Sequence, residues 1–424
     1  MSSSLAIWVS KDNQQKNQNQ EVEQNQEVEQ NQEVEQNQEV EQNQEVEQNQ
    51  ERNLKNSSAE PTLELHFNYW MIGEKGMKKK YLFYSYKDKL SKHYCIELCY
   101  RLLAFTGRII SFIHRLYTKF IGKDLASFLD VGVKFKDIDG NINVYLPFNI
   151  SPDEYDGELC ERMCKEKDLL STLFNNSIKS DESSTAQELI SKISFFNKKD
   201  KPIHVVKNLT IKNNGSIGNG VTLEDKVGAV GSCLVFPKSL LKVPDGEYGY
   251  FRFRILLNHF NRSKLSSFYK AKDRFFSAKD DMIEIIDFRV NESRNVPSQI
   301  RQMITGENCL SSVHFFVIRD VNTELLMSDN DYSRCRLLEG NIWKKYLETK
   351  QYIKVNKLPL TLIYHWKTEK KSEHTKLDKY TSFSKFKYST FSIFATARNT
   401  IVILFLAISA AACYDILKSY FLLQ

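Results

Sequence analysis

Between Pro202 and Trp366 the chain consists largely of short runs of β-branched and aromatic residues, and this pattern limits its possible folds more than any other feature. Gly, Asn and Asp separate the runs, which are IHVVKNLTIK, GYFRFRILL, MIEIIDFRV, SVHFFVIRDV, RCRLLEG and PLTLIYHW. Runs of this composition predict strands, and their spacing leaves little room for long helices. The sequence therefore predicts a mainly β fold, a β-sandwich or an open barrel with accessory helices, rather than a parallel α/β sheet.

The region before this β-rich domain predicts a mixture of strands and helices. TLELHFNYWM and KYLFYSYK predict two strands around a glycine-containing turn. The run VGVKFKDIDGNINVYLPFNI, residues 131–150, predicts a β-hairpin because Asp139-Gly140 suits a tight turn between strands. We therefore place an α+β region at 62–200 and the β-rich domain at 201–366.

Residues 96–121 predict a cationic amphipathic helix. Its apolar side chains recur at alternating steps of four and three, and its cations occupy the other side: Leu98, Leu102, Phe105, Ile109, Phe112, Leu116 and Phe120 against Arg101, Arg108, Arg115 and Lys119. Such a helix could lie on a membrane surface. The favoured interpretation is a helix that covers a sheet and keeps its arginines in water.

Five copies of the sequence QEVEQN occupy residues 20–49. Six residues advance about 600° along an α-helix, so successive valines would point in three directions and form no stripe for a partner helix. One apolar residue in six cannot offset the free energy of ordering the others. We predict a disordered tail at 1–61 that is either a spacer without a role of its own or a tether.

The chain ends in the apolar run TIVILFLAISAAACYDILKSYFLLQ. A helix over residues 400–423 would be about 36 Å long, which exceeds the ~30 Å of hydrocarbon in a bilayer. Seven lysines and three acidic residues precede it within 367–387. This order predicts a basic juxtamembrane segment, 367–399, and a transmembrane tail anchor with a cytoplasmic body, in the inner membrane if the source is bacterial. The alternative is a C-terminal core helix. The residues expected at the membrane interface are Lys385, Lys387 and Arg398.

The charge of the chain is unevenly distributed. Its formal net charge is +6, yet residues 20–51 contain eleven Glu and no Lys or Arg, so the remainder carries +17. A basic body is attracted to anionic lipid or nucleic acid. Eight scattered cysteines and an N-terminus without a secretory signal pattern predict a reducing, cytosolic environment.

Residues 248–276 form the densest mixture of aromatic and basic side chains. The cations could follow a phosphate backbone while exposed rings stack on bases. The candidate contacts with nucleic acid or another anion are Arg252, Arg254, Arg262, Lys264, Lys270 and Lys272. The same alternation is typical of a half-buried sheet with a solvated basic face, and that interpretation is favoured.

Two further groups are candidate metal ligands. The pairs Cys95/Cys99 and Cys160/Cys164 could bind zinc, but structural zinc sites usually use tighter loops, which favours buried or idle thiols. Asp281, Glu284 and Asp287 could hold Mg²⁺ for phosphodiester cleavage, although acidic residues on the solvent face of a strand are common. The sequence therefore assigns no catalytic residue, no metal ligand and no cofactor.

Taken together, these patterns favour a non-enzymatic effector or binding protein anchored to membrane lipid, with a cytosolic β-rich sensing domain. One version of this role is prokaryotic stress or phage defence. A protein or nucleic acid could be its partner. The alternative is a metal-dependent nuclease or nucleic-acid-binding protein tethered to a membrane. The sequence does not identify the ligand or the oligomeric state.

Overall fold

The computed structural model describes residues 4–10, 61–72, 77–78, 126–182, 189–197, 199–212, 220–225, 231–270, 279–304, 309–348, 354–355, 359–369, 377–391 and 393–422. Several sequence predictions lie outside these residues. They are the repeat at 20–49, the amphipathic helix at 96–121, the strand KYLFYSYK and the thiols of Cys95 and Cys99.

The described residues form twenty strands and six α-helices. The strands are β1 Ala6–Ser10, β2 Thr62–Ile72, β3 Met77–Lys78, β4 Ala126–Lys136, β5 Asn141–Leu146, β6 Tyr155–Asp156, β7 Ile178–Glu182, β8 Ile190–Phe195, β9 Ile203–Val206, β10 Thr222–Asp225, β11 Ser232–Phe236, β12 Tyr248–Leu257, β13 Ser266–Lys270, β14 Lys279–Val290, β15 Leu310–Asp320, β16 Thr323–Ser328, β17 Arg334–Leu337, β18 Lys354–Val355, β19 Thr361–Glu369 and β20 Tyr380–Phe391. The helices are α1 Leu159–Cys164, α2 Lys167–Phe174, α3 His259–Ser263, α4 Ser298–Ile304, α5 Gly340–Leu347 and α6 Ile393–Leu422. The prediction of a mainly β chain with a few helices is confirmed.

A ten-stranded sheet forms the centre of the fold. Its strand order is β17-β19-β15-β2-β4-β12-β9-β8-β7, and β6 pairs with β12 outside this path. Most neighbours are antiparallel, but β2 pairs in parallel with β15, and β9 pairs in parallel with β12. The β2–β15 pairing joins strands that are distant in the sequence, and it places His66 directly beside His314.

One face of the central sheet packs against two four-stranded sheets, β1-β5-β11-β10 and β13-β14-β20-β16. Aromatic rings cross both interfaces. Phe288 of β14 stacks on Phe315 of β15 with ring centroids 4.1 Å apart, and Phe236 of β11 stacks on Phe251 of β12 at 4.5 Å. Burial of such rings against one another is the main source of stability in a layered β fold.

The opposite face of the central sheet is covered by α1, α2 and α5. Trp70 of β2 and Phe128 of β4 belong to the same buried cluster as Met163 of α1, Leu170 of α2 and Trp343 of α5. The even-numbered residues of β2 therefore meet helices, whereas its odd-numbered residues meet the other sheets, because side chains alternate along a strand. The result is a helix layer, a central sheet and a second sheet layer.

The predicted hairpin at 131–150 is wrong. Residues in this run do form β4 and β5, but β4 pairs with β2 and β12, whereas β5 pairs with β1 and β11. All six residues of β5 are buried, so both faces of the strand are covered by other parts of the fold. The turn at Asp139-Gly140 therefore takes the chain from one sheet layer to the other instead of closing a hairpin.

The predicted transmembrane segment, 400–423, overlaps α6, Ile393–Leu422, at residues 400–422. In the part of the chain that the structure describes, no helix meets the length and apolarity that crossing a membrane requires. A membrane-spanning assignment for this segment is therefore without support from the structure. The predicted basic segment, 367–399, contains β20, which pairs along its whole length with β14.

Candidate functional site

A cluster of one carboxylate and three imidazoles lies on the helix-facing side of the central sheet. Strand alternation explains its position: Glu64 and His66 of β2 point to one face of the sheet, and Leu63 and Leu65 point to the other. The parallel register between β2 and β15 then brings His314 beside His66. The third imidazole belongs to His365 of β19. All four residues of the cluster lie on paired strands rather than on loops.

The distances within this cluster are those of direct contact. His66 Nε2 donates to Glu64 Oε1 at 2.8 Å, and His314 Nε2 lies 3.5 Å from the same oxygen. His314 Nδ1 lies 3.1 Å from His365 Nε2. On the other side, Lys134 Nζ donates to Glu64 Oε2 at 3.3 Å. Glu64 Oε1 is therefore the point on which two imidazole nitrogens converge.

The protonation of these groups follows from their surroundings. Burial lowers the pKa of His314 to about 3 and that of His365 to about 4; the charge of Lys367 acts in the same direction on both, and Glu64 opposes the shift at His314. Burial also lowers the pKa of His66, although the hydrogen bond to Glu64 opposes this effect. Burial raises the pKa of Glu64, but the hydrogen bond and charge of His66, with Lys134, bring it well below its usual value. The cluster is thus an ionised carboxylate among neutral imidazoles.

Glu64, His66 and His314 each offer one ligand atom, and these atoms lie within 4.8 Å of one another. The side chains are 26%, 19% and 13% exposed, so the cluster is accessible from solvent while most of each side chain is packed. Neutral imidazole and ionised carboxylate are the forms that bind metals. These three residues could therefore hold a metal ion.

The sequence patterns described above do not identify this cluster. Its residues come from β2, β15 and β19, and no short motif contains more than two of them. The available signal was Glu64-x-His66 inside an alternating strand, TLELHF, in which polar residues occupy the face opposite the leucines. That signal does not indicate which other strand supplies further ligands, because strand pairing is set by the whole fold.

The predicted nucleic-acid contacts do not form one surface. Arg252 and Arg254 are buried, so in this structure neither is available to a polyanion. Arg254 donates from Nε to Asp130 Oδ1 at 2.6 Å and from Nη2 to Oδ2 at 3.1 Å. Arg262 is half-buried and lies 4.9 Å from the ring centroid of Phe268. Lys264 is also half-buried on the turn after α3, and the side chains of Lys270 and Lys272 lie outside the described residues.

The candidate nuclease carboxylates also have other partners. Glu284 is fully buried and binds Arg319 through both oxygens, at 3.0 and 2.9 Å. Asp287 accepts two hydrogen bonds from Arg289, and Asp281 lies 3.4 Å from Lys387 Nζ. Alternation along β14 places Glu284 on the face opposite Asp281 and Asp287. The structure does not bring the three together.

The thiols of α1 differ from metal-bound thiolates. Cys160 is fully buried, and burial raises the pKa of its thiol far above the usual value. A thiol must lose its proton to bind zinc, so this environment opposes a role for Cys160 as a ligand. Cys164, four residues later, is half-buried at the end of α1.

Of the residues expected at a membrane interface, Lys385 and Lys387 lie on β20 and Arg398 lies within α6. Lys387 pairs with Asp281 and with Glu324, at 3.4 and 3.6 Å. Lys385 Nζ lies 6.0 Å from the ring centroid of Tyr269. The side chain of Arg398 lies outside the described residues. Beyond them, α6 carries the largest exposed apolar surface that the structure describes: Ile401, Ile403, Leu404, Phe405, Leu406 and Ile408 are each more than half exposed.

Comparison with protein-family models, with curated proteins and with solved structures gives no match to this chain. The geometry of the cluster and of α6 is therefore the basis for a function.

Proposed function

We propose that this chain is a non-enzymatic binding or effector protein held at an anionic lipid bilayer, with its β-rich body on the cytoplasmic side. The observation that carries the proposal is the exposed apolar surface of α6. Five of the six consecutive residues 401–406 are large, apolar and exposed. Successive residues differ by about 100° around a helix, so these side chains cover its whole circumference.

A helix that is apolar on all sides belongs either in a protein core or in lipid. The core is excluded for 401–408 in this structure, because these side chains are exposed while the body has its own continuous core between the sheets. At about 25 cal/mol per Å² of apolar surface removed from water, transfer of six large side chains from water to lipid is strongly favourable. Contact with lipid acyl chains removes this apolar surface from water.

The charge of the body supports an anionic rather than a neutral bilayer. Outside 20–51 the chain carries +17, and Lys385 lies on β20, the strand that precedes α6 in the chain. Each cationic residue close to an anionic surface contributes on the order of 1 kcal/mol to attachment. Apolar insertion and surface attraction then act together, which is the combination that stable attachment requires.

Flotation with lipid vesicles tests the proposal. Full-length protein is mixed with vesicles of phosphatidylcholine, or of phosphatidylcholine and phosphatidylglycerol, and is centrifuged through a density gradient. We expect the protein to float with both and to be retained better by the anionic vesicles at low salt. A variant with Ile401, Leu404, Phe405 and Ile408 replaced by Ser should remain at the bottom of the gradient.

The matched control is Phe260→Ser on α3. Phe260 is 75% exposed and lies outside α6, so its replacement removes a large exposed ring without altering the helix. Flotation of this variant should equal that of the wild type. Failure of the wild type to float, together with formation of oligomers in the absence of lipid, would show that α6 binds a second copy of the chain and would overturn the proposal.

A further inference from the structure

We infer that Glu64, His66 and His314 form a binding site for one divalent transition-metal ion of the Zn²⁺ type. The site is independent of the proposed membrane attachment, since α6 contributes none of its residues. Two imidazoles and one carboxylate are the donor set of open zinc sites and of two-histidine, one-carboxylate iron sites. Ca²⁺ and Mg²⁺ prefer sites made entirely of oxygen ligands, so the two nitrogens select against them.

The direction of the ligand atoms supports this assignment. Nε2 of His66 and Nε2 of His314 both approach Glu64 Oε1, at 2.8 and 3.5 Å. Ligand atoms about 2.0–2.2 Å from a four-coordinate ion are separated from one another by a little more than 3 Å, so small adjustments of these rings admit the ion. The proton on His66 Nε2, which contacts Glu64 without the ion, leaves when the metal takes its place.

The partners of the ligands hold them in the required state. A proton on His314 Nδ1 can be donated to His365 Nε2 at 3.1 Å, and this leaves His314 Nε2 with a free lone pair. Such a contact to the second ring nitrogen fixes the orientation of metal-bound histidines. Lys134 Nζ engages Glu64 Oε2 and not Oε1, so the carboxylate presents one oxygen to the ion.

The strands preorganise the site. His66 and His314 are directly paired in the β2–β15 register, and their ring centroids lie 4.7 Å apart. Gly132 of β4 stands beside His66, and a Cβ atom there would lie 3.3 Å from His66 Cβ and 2.6 Å from Tyr250 Oη. The absence of a side chain at Gly132 thus leaves room for the rings. Because three protein ligands do not complete a tetrahedral site, the fourth position faces water or an external ligand.

Co²⁺ is the probe for the first test, because its visible spectrum reports the number and type of ligands. Full-length protein is treated with a chelator, dialysed and titrated with Co²⁺, and then with Zn²⁺. We expect saturation at one equivalent of Co²⁺ and displacement by one equivalent of Zn²⁺, which binds such sites more tightly. Excess Zn²⁺ should also raise the Tm of the wild type, and chelator should reverse the increase.

Substitutions assign the site to its residues. Glu64→Gln changes one atom, and His314→Gln removes one imidazole; each should weaken Co²⁺ binding by more than about 100-fold. His365→Asn removes a supporting contact and should weaken binding by about tenfold. The control is His204→Gln on β9 of the same sheet, which breaks a different histidine–glutamate contact, to Glu247 just before β12, and should leave binding unchanged.

Three results would overturn the inference. They are the absence of saturable Co²⁺ or Zn²⁺ binding by the wild type, equal binding by Glu64→Gln and wild-type protein, and equal losses in His204→Gln and His314→Gln. Urea unfolding of each variant shows that it is folded. If His314→Gln does not fold, the binding of Co²⁺ by Glu64→Gln, together with the spectrum and the Tm of the wild type, still decides the question.

Discussion

The carboxylate of Glu284 on β14 accepts two hydrogen bonds from the guanidinium of Arg319 on β15, inside the interface between two sheets. Both side chains are completely buried. Tyr69 and Tyr388 also donate to Glu284, so the carboxylate is enclosed by donors from three other strands. This buried ion pair lies in an otherwise apolar core, and it fixes how β14 and β15 face one another.

Removing one member of this pair should be costly. Glu284→Ala leaves the Arg319 guanidinium buried without a counter-charge, and we expect a loss of about 3–5 kcal/mol in the free energy of unfolding. Glu284→Leu with Arg319→Met removes both charges and should recover most of that loss. Urea unfolding of the single and double variants measures both. A single variant within about 1 kcal/mol of the wild type would contradict the prediction.

The contact between Tyr346 and Asp130 should hold α5 to the central sheet. The Tyr346 hydroxyl donates to Asp130, which also accepts from Trp70 and Arg254. Tyr346→Phe keeps the ring but removes a hydrogen bond to a buried carboxylate, and we expect destabilisation of about 1.5–3 kcal/mol. Tyr332→Phe, at an exposed tyrosine, should change stability by less than about 0.5 kcal/mol. Equal effects in thermal unfolding would argue against the contact.

The buried tyrosines predict a steep loss of stability at alkaline pH. Burial raises the pKa of Tyr250 to about 12 from 10.0, and it also raises the pKa of Tyr69 and of Tyr388. The unfolded chain therefore loses protons that the folded chain retains, so stability is intact below pH 10 and falls as pH rises through the folded pKa. The slope is about 1.4 kcal/mol per pH unit for each such group.

Absorbance of phenolate and circular dichroism, followed together between neutral and alkaline pH, measure this effect. The buried tyrosines should ionise only as the strand signal is lost. Tyr250→Phe should reduce the slope. Ionisation of every tyrosine with the strand signal retained would contradict the assigned burial.

Gly249 of β12 should not tolerate a side chain. A Cβ atom at this position would lie 2.1 Å from Cζ of Phe135, its cross-strand neighbour on β4. The Phe135 ring is nearly buried and lies within the core cluster, so it cannot move into water without loss of packing. We expect Gly249→Ala to cost about 1–3 kcal/mol. Adding Phe135→Leu to Gly249→Ala should cost less than the sum of the two single changes, as urea unfolding can show.

The strands were the most predictable part of the fold. Local alternation or continuous apolar character identifies β2, β12, β14, β15 and β19, because each buries at least one face along its length. The prediction of a hairpin at 131–150 was wrong because a turn does not determine strand pairing. An Asp-Gly turn fixes the direction of the chain at one point, but the partners of β4 and β5 depend on strands supplied from elsewhere in the sequence.

Basic residues were harder to interpret. The alternation of arginine with phenylalanine in β12 suggested a solvent face, yet α5 covers Arg252 and Arg254. The lysines of 367–387 similarly obscured β20, in which Ser382, Ser384 and Phe386 are buried. A charged side chain does not show whether a helix or a carboxylate will meet it. The proposed metal site was missed for the same reason: Glu64 and His66 acquire their third ligand only from β15, which the fold places beside β2.

The parallel pairing of β2 with β15 also has a consequence for synthesis of the chain. Ser311 of β15 bonds to the Leu63 carbonyl across 248 residues of sequence. On the ribosome β2 must wait, with one edge unpaired, until β15 has emerged, 248 residues later in the chain. Contacts of such long range slow folding and leave strand edges exposed in the meantime. The nascent chain should therefore depend on chaperones, and His66 can meet His314 only after β15 has been synthesised.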